Sequence, residues 1–225
     1  MALAGRAPHR APILSAIGWW SEQLSSLGVA LELNATISPE APPRADRVIW
    51  AIGSVPAQSA VWRRRPHLIS GIPGTDLLPH GRNVLAGTAK ARGRVLIVDE
   101  ENGWPTISLA ETLIGTPDVD AVMIVTAVAH PALPDLLFTV EISEVAVRLN
   151  AAGIGIVPGE TVAAVDAGTA TLSSGRTLGP FDTIVLSTGT LPRPIPESAL
   201  AIGDCAAPRG FWAATDDAAR CVDSL

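Results

Sequence analysis

Apolar and polar positions along the chain follow patterns that predict short strands and helices in alternation. Residues 29–33 alternate and predict a short strand, and the apolar run at 47–53 predicts another that ends in a glycine. The stretch 54–92 shows little periodicity and is interpreted as a long connection. Before these, a helix ending at Gly28 is predicted by apolar positions at helical spacing: Ile13, Leu14, Ile17, Trp20, Leu24 and Leu27.

A second series of elements begins near residue 94. The continuous apolar run at 95–98 predicts a buried strand, and residues 107–114 predict a helix closed by Gly115. Strands that alternate with helices in this way predict a doubly wound α/β fold. The further elements are strands at 120–126, 154–157 and 182–188, a helix at 138–152, and a hairpin of 162–165 with 170–172.

Two segments of the chain share one design. Residues 45–56 and 181–192 each contain an aspartate, an apolar strand, a glycine and then a proline. The two glycines are Gly53 and Gly189. Two units of this kind suggest points at which the chain crosses between linked α/β domains.

Residues 199–209 carry the strongest candidate for chemistry. An apolar strand leads into Gly203 and Asp204, and a final helix follows. Glycine permits close approach of the backbone to a ligand, and a carboxylate at a strand's C-terminal end can accept hydrogen bonds from ligand hydroxyls. A carboxylate that serves only the start of the helix is the alternative.

The candidate cofactor-binding residues are Gly53, Gly189, Gly203, Asp204, Cys205 and Arg209. For Arg209, a contact with the cofactor or a neighbouring subunit and a surface role are equal alternatives. Cys205 is alternatively a small packing residue, because a redox role needs a nearby second cysteine and Cys221 lies far along the final helix. No catalytic acid, base or nucleophile is assigned, and the histidines build no metal site or Ser-His-Asp arrangement.

The chain contains no Gly-x-Gly-x-x-Gly turn of the kind that opens a complete dinucleotide fold. The turn after the 95–98 strand instead carries Asp99, Glu100 and Glu101, followed by Gly103 and Trp104. Consecutive acids repel a diphosphate, whereas a working turn offers backbone N–H groups to it. NAD(P)H binding at this turn is therefore disfavoured, and with it a self-sufficient NAD-dependent enzyme.

Composition narrows the function classes. The residues are 48% hydrophobic and only 17% charged, which indicates either buried parallel sheets or a surface that a partner covers. The net charge of −6 argues against a nucleic-acid partner, and the basic run at 63–65 is interpreted as a solvated loop. No apolar run approaches the roughly 18–20 residues of a membrane span. No signal peptide is evident and two cysteines form no disulfide framework, so a cytoplasmic location is expected.

The order and spacing of these pieces resemble the C-terminal region of the NADH:flavin oxidoreductases related to trimethylamine dehydrogenase and 2,4-dienoyl-CoA reductase. The matching pieces are residues 46–56, 94–113, 138–149, 182–192 and 202–209. In that family an FMN-bearing barrel with an iron–sulfur cluster precedes two dinucleotide-fold domains. The resemblance implies an incomplete FAD-type dinucleotide fold at 1–92 and 182–225, and an inserted, degenerate NAD-type (Rossmann-like) domain at 93–181.

The resemblance also implies a function. The chain is expected to be an accessory subunit that completes an FAD or another adenine-nucleotide site with a larger subunit, which would hold FMN and the iron–sulfur cluster. Methylated amines or enoyl thioesters are the substrates it implies for the whole assembly. The alternative is a non-catalytic scaffold that kept the fold and lost every cofactor.

Overall fold

A computed structural model describes residues 2–38, 40–57, 72–131, 136–137 and 139–224. The chain forms two compact units. Unit 1 comprises Met1–Gln23 and Gln58–Gly189, and unit 2 comprises Leu24–Ala57 and Thr190–Leu225. The basic run at 63–65 lies outside the described residues.

The described residues form helices and strands with the following bounds. The helices are α1 (Ala2–Gly5), α2 (Pro12–Ser26), α3 (Gly81–Leu85), α4 (Trp104–Ile114), α5 (Ile142–Ala151) and α6 (Phe211–Asp223). The strands are β1 (Ile49–Trp50), β2 (Ser54–Pro56), β3 (Gly93–Asp99), β4 (Val119–Thr126), β5 (Gly155–Pro158), β6 (Val162–Asp166), β7 (Thr169–Leu172), β8 (Thr177–Leu178), β9 (Thr183–Ser187), β10 (Thr190–Pro192) and β11 (Leu200–Ala201).

The centre of unit 1 is a four-stranded parallel sheet in the order β5-β4-β3-β9. Leu96 on the central strand β3 lies opposite Met123 on one side and Ile184 on the other. The strands after β3 extend the sheet to one side through β4 and β5, and β9 then returns to the other side. This reversal creates a crevice at the carboxyl ends of β3 and β9, the usual ligand position of a doubly wound fold.

Alternate residues of β3 enter two different cores, which explains its continuous apolar run. Val95 and Ile97 pack with α4 and α5, whereas Leu96 and Val98 pack with β6 and β7. A parallel strand covered on both faces buries every side chain, as the run at 95–98 predicts. The predicted mixed α/β fold is confirmed for this unit.

The predicted helices and hairpin of unit 1 are confirmed, with shifted bounds. Helix α4 begins at Trp104 because Gly103 is the N-cap and Pro105 occupies the first turn. The helix predicted at 138–152 is α5, which starts only after Val140, whose φ of 61° is left-handed. The hairpin turn has left-handed backbone at Ala167 and Gly168, as two-residue hairpin turns require. A third strand, β8, was not predicted from the sequence.

Unit 2 contains much less regular structure. Strand β1 pairs with β11 in parallel over two residues, and β2 pairs with β10 in antiparallel over three. The strand predicted at 47–53 is thus reduced to Ile49–Trp50. The strand predicted at 29–33 is wrong for the described structure, because no described residue pairs with that segment and its side chains are exposed.

The predicted helix that ends at Gly28 is confirmed as α2, and the boundary between the two units falls within it. Within the described ranges, none of the helices reaches the length and hydropathy needed to cross a bilayer. The division into an FAD-type domain at 1–92 and 182–225 and an NAD-type domain at 93–181 stays a prediction.

Candidate functional site

The loop between β11 and α6 holds the strongest predicted site residues. Gly203 has a φ of 65°, in the left-handed region that favours glycine, and its carbonyl accepts the Ala206 N–H that closes a short 3-10 turn at Gly203–Cys205. A side chain at Gly203 would bring its Cβ to 3.3 Å from the Cβ of Ala214 on α6. The glycine therefore allows both the sharp turn after the strand and the close approach of the final helix.

Asp204 is bonded within this loop. Its Oδ1 accepts hydrogen bonds from the backbone N–H of Arg209 at 3.3 Å and of Gly210 at 3.4 Å. Its Oδ2 accepts from the Ser54 hydroxyl at 3.2 Å. Gly210 is the N-cap of α6, so Asp204 serves the start of that helix. This is the alternative role that the sequence left open.

Asp217 on α6 braces the same loop from the other side. Its Oδ2 accepts from the backbone N–H of Gly203 at 2.9 Å and from Nη2 of Arg209 at 2.5 Å. The Gly203 N–H, more than the neighbouring Arg209 guanidinium, holds the pKa of Asp217 below its usual range. The guanidinium of Arg209 thus points back into its own loop, although half of the side chain is exposed.

Cys205 lies beneath the loop and is buried. Its sulfur is 3.0 Å from the carbonyl oxygen of Trp50 and 3.2 Å from that of Ile202. Since the Ile202 N–H also donates to the Trp50 carbonyl at 3.0 Å, the thiol lies at the ends of the paired strands β1 and β11. The other cysteine, Cys221, is also buried.

The two predicted glycines of the strand–glycine–proline units both have left-handed backbone. Gly53 has a φ of 74°, and its carbonyl accepts from the N–H of Arg193 at 3.2 Å. Gly189 has a φ of 88° and lies in unit 1, where its carbonyl oxygen is 3.1 Å from Nε2 of His80. The left-handed conformation explains why a glycine stands after each of these strands.

The structure brings most of the predicted site residues into unit 2 and leaves one outside it. Gly53, Gly203, Asp204, Cys205 and Arg209 belong to unit 2, and Gly189 belongs to unit 1. Sequence reasoning missed Ser54 and Asp217, which bond directly to predicted residues. Ser54 had a sequence signal, because it directly follows a predicted glycine. Within the described part of the chain, no group of His, Cys, Asp or Glu side chains could hold a metal ion.

The crevice at the carboxyl ends of β3 and β9 is filled by the chain's own polar groups. The Asp99 carboxylate accepts from the backbone N–H of Asn102 at 2.9 Å and lies 2.7 Å from the Thr106 hydroxyl. The Ser187 carbonyl accepts from the N–H groups of Glu100 and Glu101, each at 2.9 Å. A bound pyrophosphate needs backbone N–H groups of this turn as hydrogen-bond donors, and the Asp99 carboxylate already accepts from one of them. The residues here therefore do not fit NAD(P)H.

His80 is a buried histidine with both ring nitrogens engaged. It is the N-cap of α3, where Nδ1 accepts from the N–H of Arg82 at 3.1 Å. Nε2 therefore carries the proton and donates to the Gly189 carbonyl. Burial lowers the pKa of His80 from 6.5 to about 4, so the ring is neutral in the folded protein. The sequence assigned no role to His80 and so missed this one.

Acid is expected to destabilise unit 1 through His80. Because the folded pKa lies below 6.5, the unfolded chain binds the extra proton first, and stability is lost as the pH falls from about 6.5 towards 4. The loss attributable to this group is about 2 kcal/mol at pH 5. Urea unfolding at pH 7 and pH 5 measures it. His80→Gln should be less stable at pH 7 but lose about 2 kcal/mol less between the two pH values; an equal loss in both proteins would contradict the assignment.

Alanine at Gly203 is expected to loosen the loop. The left-handed backbone strains any side chain, and the new Cβ also presses on Ala214, so local stability should fall by about 1–2 kcal/mol. Gly53→Ala is the matched control, since Gly53 has a similar φ but open space around it. Hydrogen exchange of the Ile202 amide reports the difference. Equal effects of the two variants would show that the contact with Ala214 is unimportant.

Three solved structures are similar to this chain over nearly its whole length. The chain is similar to 6-hydroxypseudooxynicotine amine oxidase from Pseudomonas geniculata N1, with 25% identity and a TM-score of 0.86 over 97% of this chain and 35% of that one. It is similar to histamine dehydrogenase from Rhizobium sp. 4-9, with 19% identity and a TM-score of 0.85 over 100% of this chain and 38% of that one. The resemblance to the trimethylamine dehydrogenase-related oxidoreductase family is confirmed.

A further member of the family shares the same fold. 2-Naphthoyl-CoA reductase matches with 18% identity and a TM-score of 0.76, over 96% of this chain and 32% of that one. The chain spans about a third of the length of each of these three oxidoreductases. No protein-family model and no curated protein sequence matches the chain.

Proposed function

We propose that this chain is an accessory subunit of a flavin-dependent oxidoreductase and completes an FAD or another adenine-nucleotide site with a larger catalytic subunit. The observation that carries the proposal is the exposed apolar surface of unit 2, in a chain that matches an amine oxidase over 97% of its length at a TM-score of 0.86. The larger subunit would supply the catalytic machinery of such an enzyme. FMN, the iron–sulfur cluster and the chemistry on an amine or a thioester belong to that subunit.

The surface of unit 2 supports a need for a companion. Both apolar clusters among the described residues lie in unit 1. Large apolar side chains of unit 2 are exposed instead; they are Leu24, Leu27, Val29, Leu31, Leu33, Ile37, Ile49, Ile52, Leu200, Phe211, Trp212 and Val222. Exposed apolar surface of this extent is typical of an interaction site. A companion that covers it would stabilise unit 2.

The small sheet of unit 2 supports the same conclusion. Parallel strands in proteins are normally covered on both faces and belong to larger sheets, whereas β1 and β11 pair over only two residues. Residues 29–33 alternate like a strand and have no strand partner in the described part of the chain. A segment of this kind can pair with a strand from another polypeptide.

The loop around Asp204 fits one part of a dinucleotide. FAD, when bound, supplies the flavin that accepts electrons. Three donors contact the Asp204 carboxylate, while an ionised carboxylate has about four acceptor positions, so a ligand hydroxyl can still bond there. The left-handed backbone of Gly203 makes the sharp turn after β11 that places this carboxylate in the loop. A glycine-rich turn that grips the pyrophosphate is missing from the sequence, so the companion would have to supply it.

A scaffold without any cofactor is the second candidate function. It is favoured by the internal hydrogen bonding of the carboxylates in both loops where a dinucleotide could bind. Asp204 accepts from its own loop, and Asp99 accepts from its own turn. In this case the chain would serve only to support the larger subunit.

Purification of the chain with its companion separates the two functions. The proposal predicts that the chain purifies in a coloured complex with a flavoprotein, and that this complex releases an adenine nucleotide when it is denatured. The Asp204→Ala complex should release no such nucleotide from this chain. Asp223→Ala, on the last turn of α6, serves as the control. A complex that contains no adenine nucleotide beyond that bound by the larger subunit alone would favour the scaffold. Tight binding of NADH to the purified chain would contradict both.

A further inference from the structure

Two carboxylates hold the loop that carries Asp204, but they hold different parts of it. Asp204 binds the N–H groups at the end of the loop, on Arg209 and Gly210. Asp217 binds the N–H at its beginning, on Gly203, and also the Arg209 side chain. The loop is thus fixed at both ends, and Arg209 links the two carboxylates.

The position of Asp217 determines which way the loop directs Asp204. Asp217 lies on α6, and its Oδ2 reaches back to the residue that directly precedes Asp204. A left-handed glycine has many alternative conformations, so the bond to its N–H selects the one that directs Asp204 towards the start of the helix. The ion pair with Arg209 keeps the far end of the loop against the same carboxylate.

We infer that Asp217 is a positioning residue that orients Asp204 for a hydroxyl of the bound FAD. The inference rests on the proposed function, because it concerns the same site. Asp217 itself does not contact the cofactor; it acts through Gly203 and Arg209. Removing the charge of Asp217 should leave the Asp204 carboxylate present but poorly oriented for the ligand.

The neighbouring residue offers a matched control. Asp216 also lies on α6, where it forms an ion pair at 2.8 Å with Arg220, one turn further along the helix. Both side chains of this pair are exposed. Asp216→Asn removes one charge from the same helix and leaves the loop untouched. Asp217→Asn removes the charge that binds Arg209 and weakens the bond to the Gly203 N–H.

The experiment uses the complex of the full chain with its companion and FAD as the probe. Asp217→Asn should weaken FAD binding about tenfold, because the loss of one hydrogen bond to a charged group changes a dissociation constant by roughly this factor. It should also speed hydrogen exchange of the Gly203 amide and shift the visible absorption band of the bound flavin at saturating FAD. Asp216→Asn should leave all three measurements at the wild-type values.

The outcomes distinguish the inference from the proposed function. Faster Gly203 exchange with wild-type FAD affinity and an unshifted flavin band would make Asp217 merely structural and overturn the inference. An unchanged exchange rate of the Gly203 amide would overturn the inference as well, because Asp217 would then not hold this amide. If the wild-type complex bound neither FAD nor another adenine nucleotide at this chain, the proposed function would fail, and the positioning role would fall with it.

Discussion

Replacing Ile97 with alanine is expected to lower the free energy of unfolding of unit 1 by about 3 kcal/mol. Ile97 is 0% exposed and lies on the central strand β3, between strands on both sides and helices on one face. Removing three carbon atoms from such a position loses burial and leaves a cavity, since parallel strands held by two neighbours cannot collapse around it. Urea unfolding followed by circular dichroism measures the change.

Leu33→Ala is the control for this prediction. Leu33 is 74% exposed in unit 2, so its truncation should change stability by less than about 0.5 kcal/mol in the isolated chain. A large loss for Leu33→Ala, or a small one for Ile97→Ala, would show that the cores are distributed differently from those described. The contrast tests whether unit 1 alone has a complete core.

Replacing Leu31 with aspartate is expected to weaken the complex with the companion roughly a hundredfold. Leu31 lies at the centre of the apolar segment 29–33, where a charge would be buried without a partner once the companion binds. In the isolated chain the same side chain is 57% exposed, so the variant should fold as well as the wild type. Affinity measured with the purified companion reports the loss.

A second aspartate variant shows whether this loss is specific. Leu77 in unit 1 is 98% exposed and far from the segment in sequence, and Leu77→Asp should leave the affinity unchanged. Equal affinities for Leu31→Asp and the wild type would place the companion on another surface. A reduction by Leu77→Asp of the same size would indicate a non-specific effect of charge.

Unit 1 could be predicted from the sequence because its patterns are local. A buried parallel strand appears as an uninterrupted apolar run, and the run at 95–98 identified β3 within two residues at its N-terminal end and one at its C-terminal end. The turn at Ala167 and Gly168 joins the predicted hairpin through left-handed backbone conformations that need no tertiary information. Gly115 directly follows α4, as predicted for the glycine that closes this helix.

Unit 2 could not be predicted in the same way, since a strand exists only when another strand pairs with it. Residues 29–33 have the alternation of a strand, yet no described residue provides a partner. The run at 47–53 is apolar from Val48 to Ile52, yet only the two residues opposite β11 form a strand. The pattern shows what the segment could form, and the available neighbours decide what it does form.

The candidate site was predicted in part for a related reason. Asp204 follows an apolar strand and a glycine, which is a local signal. Asp216 and Asp217 are adjacent on α6 and point about 100° apart, so the sequence does not tell which of them reaches Gly203. His80 likewise lies in a stretch without periodicity, and its burial depends on β9, which comes about a hundred residues later in the chain.

The need for a companion is tested most directly by hydrogen exchange of the unit 2 amides, with and without the purified larger subunit. Ile202 and Gly203 are expected to exchange faster in the isolated chain than the β3 amides of unit 1. Adding the companion should then slow the exchange of the unit 2 amides, including those of the segment 29–33. A monodisperse isolated chain whose unit 2 amides are as protected as those of β3, and do not change on mixing, would contradict it.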